Sequence, residues 1–121
     1  MKTEYNAVSP YLTKDGSQVR ELMHPAQHAV HGNRTQSFAE ATVMPGAKTQ
    51  LHRHQVTEEI YHITQGAGSM TLGDKQFDVA VGDTVCIAPG TAHCIVCTSE
   101  FPLKILCACA PAYAHDDTEL L

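Results

Sequence analysis

The sequence predicts an all-β domain with almost no helix. Three observations carry that reading. Apolar and polar residues alternate in short runs, most clearly over residues 37–44, 59–63 and 76–81, and a period of two marks strands with one buried face. The runs are punctuated by glycine and proline turn signals at Pro45-Gly46, Gly66-Ala67-Gly68, Gly73-Asp74-Lys75, Gly82-Asp83 and Pro89-Gly90. The length, 121 residues, allows a single domain over residues 1–121, large enough for a core without metal or disulfide staples.

Residues 1–15 read as an irregular arm containing Pro10 and closing on the Lys14-Asp15-Gly16 turn, and residues 18–23 as a short strand. The next segment holds His24, His28 and His31, whose spacing would align them on one helix face. Pro25 and the Gly32-Asn33 turn leave little room for a helix, so a solvated loop is expected rather than a second metal site. Residues 37–44 form a strand with Ala39, Ala41 and Val43 on one face and Phe38, Glu40, Thr42 and Met44 on the other; alternation alone leaves open which face is inward.

Pro45-Gly46 turns the chain into the strand that bears His52 and His54, which project side by side from one face. Gln50 shares their parity and is expected to face the same cavity. On the following strand Glu59, Tyr61 and Ile63 share a face, while His62 points the other way as a structural histidine. A hairpin follows over residues 69–72 and 76–81, with Phe77, Val79 and Val81 on one face. Residues 85–87 form a short apolar strand, and Pro89-Gly90 delivers His93 to the start of another, where Ile95 and Cys97 point inward and Cys94 and Val96 outward. In the last strand, residues 103–109, Lys104 is assigned to solvent and Leu103, Ile105, Cys107 and Cys109 to the interior.

His52, His54 and a carboxylate a few residues on, Glu58 or Glu59, read as a metal site, and His93 can close the set if the two segments face each other across a barrel. Tyr61 is placed to present its hydroxyl near the ion. Cys107 and Cys109 lie ~7 Å apart along a strand, beyond disulfide reach, and are expected to be thiols lining the interior.

These two stretches resemble the cupins. The first cupin motif runs Gly, five residues, His-x-His, three or four residues, Glu, six residues, Gly, and Gly46, His52, His54, Glu59 and Gly66 fit it without a gap. That spacing prefers Glu59 to Glu58. In the second motif Gly82, Gly90 and His93 fall in place, while Ala88 stands where the first proline usually is and Cys97 where an asparagine usually is. The first change loosens a turn; the second alters a hydrogen bond and leaves the ligand set intact. The resemblance implies a double-stranded β-helix, or jelly-roll barrel, of two antiparallel sheets with the metal near one open end. It implies one divalent transition ion per chain, iron, manganese, nickel, copper or zinc, held by His52, His54, Glu59 and His93, with two adjacent positions left for water or a chelating substrate. Gln50, Tyr61 and Cys107 are the candidate substrate contacts, and Glu59 a ligand that can also take a proton. Since cupins commonly pair through N-terminal strands, it also implies a homodimer, with residues 1–35 as the arm and strand involved.

Composition narrows the partners. The net charge is −5 and charged residues are 17% of the chain, without the clustered lysine and arginine that nucleic acid or an anionic membrane surface would select. A small polar ligand fits better. No apolar run approaches the ~20 residues a membrane helix needs, and no basic-then-apolar leader opens the chain. The five cysteines are odd in number and suit reduced thiols, so a cytoplasmic protein is expected. The function expected from the resemblance is a metal-dependent enzyme of dioxygenase type acting on a small oxygen-rich molecule. The alternatives are a sugar or sugar-phosphate isomerase or epimerase, and a non-catalytic small-molecule binder.

Overall fold

The structure is a computed structural model and describes residues 1–28 and 30–121. In chain order the strands are β1 (Tyr11–Leu12), β2 (Gln18–Met23), β3 (Ser37–Val43), β4 (His52–His54), β5 (Glu58–Gln65), β6 (Ala67–Leu72), β7 (Lys75–Ala80), β8 (Thr84–Ile87), β9 (His93–Cys97), β10 (Leu103–Ala110) and β11 (Thr118–Leu120). Helix is confined, among the described residues, to single 3-10 turns at Tyr5–Ala7 and His115–Asp117. A six-stranded sheet ordered β1-β2-β3-β10-β5-β8 faces a five-stranded sheet ordered β11-β4-β9-β6-β7, and every pairing is antiparallel. This is a two-sheet jelly-roll barrel.

Alternation decides what points inward. In β3 the face with Ala39, Ala41 and Val43 is the buried one, and Phe38 is exposed. In β10 Leu103, Ile105, Cys107 and Cys109 are buried, and Lys104 is half-buried on the outer face. Val81 departs from its expected place beside Phe77 and Val79, because β7 ends at Ala80 and the Gly82-Asp83 turn carries Val81 out to 63% exposure.

The inward residues grade along the barrel, and that gradient makes the cavity. Register places Leu103 opposite Val43, and Ile105 between Ala41 and Ile63; further along, Cys107 lies between Ala39 and Tyr61, and Cys109 between Ser37 and Glu59. At one end Ile63, Met70, Ile95, Leu103 and Ile105 are packed to 0–2% exposure, each buried side chain worth about 1.5–3 kcal/mol. At the other end serine, alanine and cysteine replace them and are too small to meet across the barrel.

The N-terminal segments fold onto this second end. β2 pairs with β3 of the same chain, and β1 pairs with β2. Residues 24–28 and 30–35 run as turns and bends; residue 29 of the expected loop lies outside the described residues. His24 in this segment is tied to the Tyr113 carbonyl at 2.7 Å.

Candidate metal centre

His52 and His93 are direct cross-strand partners on β4 and β9, so their rings stand 4.1 Å apart. His54, two residues along β4 from His52, projects from the same face, with ring centroids 5.3 Å from both. Among the described residues these three are the one group of histidine, cysteine or acidic side chains whose ligand atoms all lie within 4.8 Å of each other. Glu59 enters from β5 in the facing sheet, with Oε1 3.2 Å from His54 Nε2 and 3.7 Å from His93 Nε2. Ligands bound at 2.0–2.2 Å in adjacent octahedral positions stand about 3 Å apart, so the spacing of Glu59 from His54 and His93 suits one small ion, while His52 Nε2 faces Asp15. Glu58, by contrast, is exposed.

The hydrogen bonds set the tautomers. His52 Nδ1 meets the Gln50 carbonyl at 2.6 Å and His93 Nδ1 meets the Thr91 carbonyl at 2.9 Å. A carbonyl only accepts, so each Nδ1 carries the hydrogen. His54 Nδ1 lies 3.0 Å from Thr118 Oγ1, whose own hydrogen goes to the Ala114 carbonyl. Nδ1 therefore donates there too. All three Nε2 atoms are left as acceptors turned towards Glu59 or Asp15, and His93 Nε2 and Glu59 Oε1 are buried without a hydrogen-bond partner. Lone pairs facing lone pairs in a buried site need a cation or a proton between them.

Without a metal, a proton must serve. Burial would raise the Glu59 carboxyl, but hydrogen bonds and charge from His54 and His93 hold it down at about 2. Burial, and after it His93, lowers the pKa of His52. The Glu59 shift gives a signed prediction. The unfolded chain protonates Glu59 near its ordinary 4.5, before the folded one does at about 2, so the metal-free protein should lose stability as pH falls below 4.5 towards 2. Glu21, whose pKa burial raises, acts with the opposite sign, and its contribution is complete by the time pH has fallen to its ordinary 4.5. Urea midpoints taken in chelator should therefore drop more over that window for the wild type than for Glu59→Gln; equal drops would show that Glu59 is not the group responsible.

The thiols take supporting places. Cys109 Sγ donates to Glu59 Oε2 at 3.2 Å, which turns Oε1 towards the histidines. Burial, and then the Glu59 charge, push both Cys107 and Cys109 well above the ordinary thiol range. In the metal-free protein they stay protonated thiols. Cys97, at the asparagine position of the second motif, donates instead to the Phe101 carbonyl at 3.3 Å. Tyr61 lines the cavity with its ring 6.2 Å from His93, and burial followed by Glu59 raises its phenol, so it remains a donor. His62 is outside the cavity, bonded to Thr84 Oγ1 at 2.8 Å.

Gln50 is a correction. Its side chain is exposed and does not line the cavity. The parity argument required a strand unbroken from residue 50 to 54, whereas β4 begins at His52. Thr49 turns inward so that its hydroxyl accepts the Ile95 N–H at 3.0 Å, which resets the alternation. What Gln50 contributes is its carbonyl, to His52.

Several cavity residues escaped the sequence reading. Asp15 Oδ2 stands 3.3 Å from His52 Nε2, while its Oδ1 accepts from Thr13 Oγ1, Ser17 N and Ser17 Oγ at 2.6–2.9 Å. Thr13 and Ser17 flanking the Lys14-Asp15-Gly16 turn were the available signal that the Asp15 side chain is fixed. Nothing local said that it aims at His52. Glu21, Tyr11 and Tyr113 line the same cavity, and β11, which carries Thr118, pairs with β4 across a separation no local pattern reveals.

Residues 39–109, more than half of the chain, match the cupin domain family. The chain is a cupin. Among relatives, this cupin is 50% identical over 121 residues to an uncharacterized protein of Methanocaldococcus jannaschii, covering 100% of this chain and 94% of that one. It is 29% identical over 86 residues to the oxalate-binding protein of Thermotoga maritima, 71% of each chain. Among solved structures, the oxalate decarboxylase of Bacillus subtilis matches with a TM-score of 0.84 at 22% identity, covering 100% of this cupin and 32% of that chain. The cupin is thus much shorter than the decarboxylase, and that likeness is one of fold. No helix of the described residues is long and apolar enough to cross a membrane.

Proposed function

We propose that this cupin is a mononuclear metalloenzyme of dioxygenase type, in which His52, His54, His93 and Glu59 hold one divalent transition ion and a small oxygen-rich molecule binds beside it. The observation that carries the reading is the clustering of the His52, His54 and His93 ligand atoms within 4.8 Å of one another, with the buried Glu59 Oε1 3.2 Å and 3.7 Å from the Nε2 atoms of His54 and His93 and with His93 Nε2 and Glu59 Oε1 both lacking any partner. When bound, the ion supplies Lewis acidity and, for iron or copper, an electron path to dioxygen. The chain supplies the rest. Asp15 offers a carboxylate oxygen to take a proton from a substrate hydroxyl, Tyr61 donates a hydrogen bond, and the buried wall of Ala39, Ala41 and Val19 excludes water.

Space argues against the sugar-phosphate alternative. The cavity leaves about 40 Å³ for the centres of water molecules, little more than a few water positions at roughly 10–15 Å³ each. A second reading, a binder without turnover, draws support from the likeness to the oxalate-binding protein of Thermotoga maritima. A homodimer belongs to the proposal through the family resemblance. Elemental analysis of untagged protein, with oxygen uptake measured over small diols, diketones and catechols, tests the reading. Iron or copper near one per chain with uptake is the expected result. Metal without uptake moves the function to binding, and absence of metal after reconstitution removes the proposal.

A further inference from the structure

The charges that face the cavity restrict what can enter it. Apart from the ligand set, the ionisable carboxylates on its wall are Asp15 and Glu21, and among the described residues no lysine or arginine lines it. Lys14, next to Asp15 in sequence, instead donates to the Thr118 carbonyl at 2.7 Å, and Arg20 lies over the Tyr5 ring at 4.4 Å. A divalent ion offset by Glu59 and Asp15 therefore leaves no net positive charge for a dianion to meet.

Glu21 adds a second, independent observation. It is 3% exposed; its Oε2 accepts from Tyr11 Oη at 3.3 Å and stands 3.9 Å from His24 Nε2, while Oε1 is buried with no partner. An unmatched buried acceptor is disfavoured, and a ligand hydrogen would remove that penalty.

Resting on the metal reading above, we propose that the cavity selects a compact neutral or cationic molecule bearing hydroxyl or amino hydrogens, which donate to Glu21 and Asp15, and that it rejects dicarboxylates. The same fold that carries an oxalate-binding function in a relative is here lined for the opposite charge. Specificity arises as much from the repulsion of a second carboxylate as from the new donors' contacts.

The test uses the full chain loaded with manganese and titrated calorimetrically with 2-aminoethanol, ethylene glycol and oxalate, with protein-bound manganese measured after each titration. At least one donor probe should bind about tenfold or more tighter than oxalate. Asp15→Asn/Glu21→Gln should shrink that preference by about tenfold or more, and Glu21→Gln alone should shrink it part of the way should the double variant fold poorly. Oxalate binding as tightly as the donors, no binding by either donor, or an unchanged preference in folded variants overturns the inference while leaving the metal centre standing. Failure to take up manganese, iron or zinc at all instead overturns the metal reading on which it rests.

Discussion

Replacing His52 and His54 together by alanine should take bound divalent metal from near one ion per chain to near none, with the barrel still folded. Two of four donors vanish, and the remaining pair, His93 and Glu59, come from different sheets with no third ligand to fix an octahedral or tetrahedral geometry. The fold should survive because its densest packing lies at the other end, around Ile63, Met70, Leu103 and Ile105, while the site end already contains open space. Metal binding should also register as stability. At a free ion concentration about 1,000 times Kd the folded wild type gains about 4 kcal/mol, and the double variant should gain nothing. Metal content by elemental analysis and unfolding midpoints with and without added ion read both effects. A variant with strand circular dichroism intact and metal content unchanged would show that the site lies elsewhere.

How far the sequence discloses this site follows from which distances are local. His52 and His54 share a face because a strand alternates, and Glu59 and Tyr61 share one for the same reason, so their orientation was legible without coordinates. His93 needed the two motif segments to meet, which the family's spacing supplied and local patterning did not. Gln50 fails ahead of the strand, which begins only at His52: Thr49 is bound to Ile95 through both its N–H and its hydroxyl, and period two no longer applies there. Asp15 and Glu21 were invisible as site residues for another reason: the β1–β2 segment closes over the cavity through contacts 30 or more residues away in sequence, such as Asp15 with His52. The five-stranded sheet's edge strand β11 was missed because three residues after a 3-10 turn carry no periodicity. It nonetheless orients His54 through Thr118.

The final glycine of the first motif owes its place to crowding more than to the turn alone, and a paired substitution can separate the two effects. Gly66 has φ +77° and ends β5 where the chain crosses from the six-stranded sheet to the five-stranded one. A Cβ there would stand 2.8 Å from Ser99 Oγ, 2.9 Å from the Pro102 carbonyl oxygen and 3.1 Å from Leu103 Cα. None of these can yield easily. Ser99 Oγ is held by Ala67 N at 3.0 Å and Phe101 O at 2.8 Å, Pro102 O accepts from Gln65 Nε2 at 2.9 Å, and Leu103 is fully buried at the head of β10. Gly46, the motif's first glycine, has nearly the same φ of +75° and nothing within 4 Å of where its Cβ would sit. Gly46→Ala should therefore cost about 1–2 kcal/mol, the price of a left-handed alanine. Gly66→Ala should add the overpacking penalty of about 1–3 kcal/mol, for a total of about 2–5 kcal/mol. Against a typical stability of about 5–15 kcal/mol the second loss is large: the urea midpoint of Gly66→Ala should fall well below that of Gly46→Ala at an unchanged slope. Equal midpoints for the two would mean that the Ser99–Leu103 corner moves aside freely, and the motif's closing glycine would then be explained by backbone conformation alone.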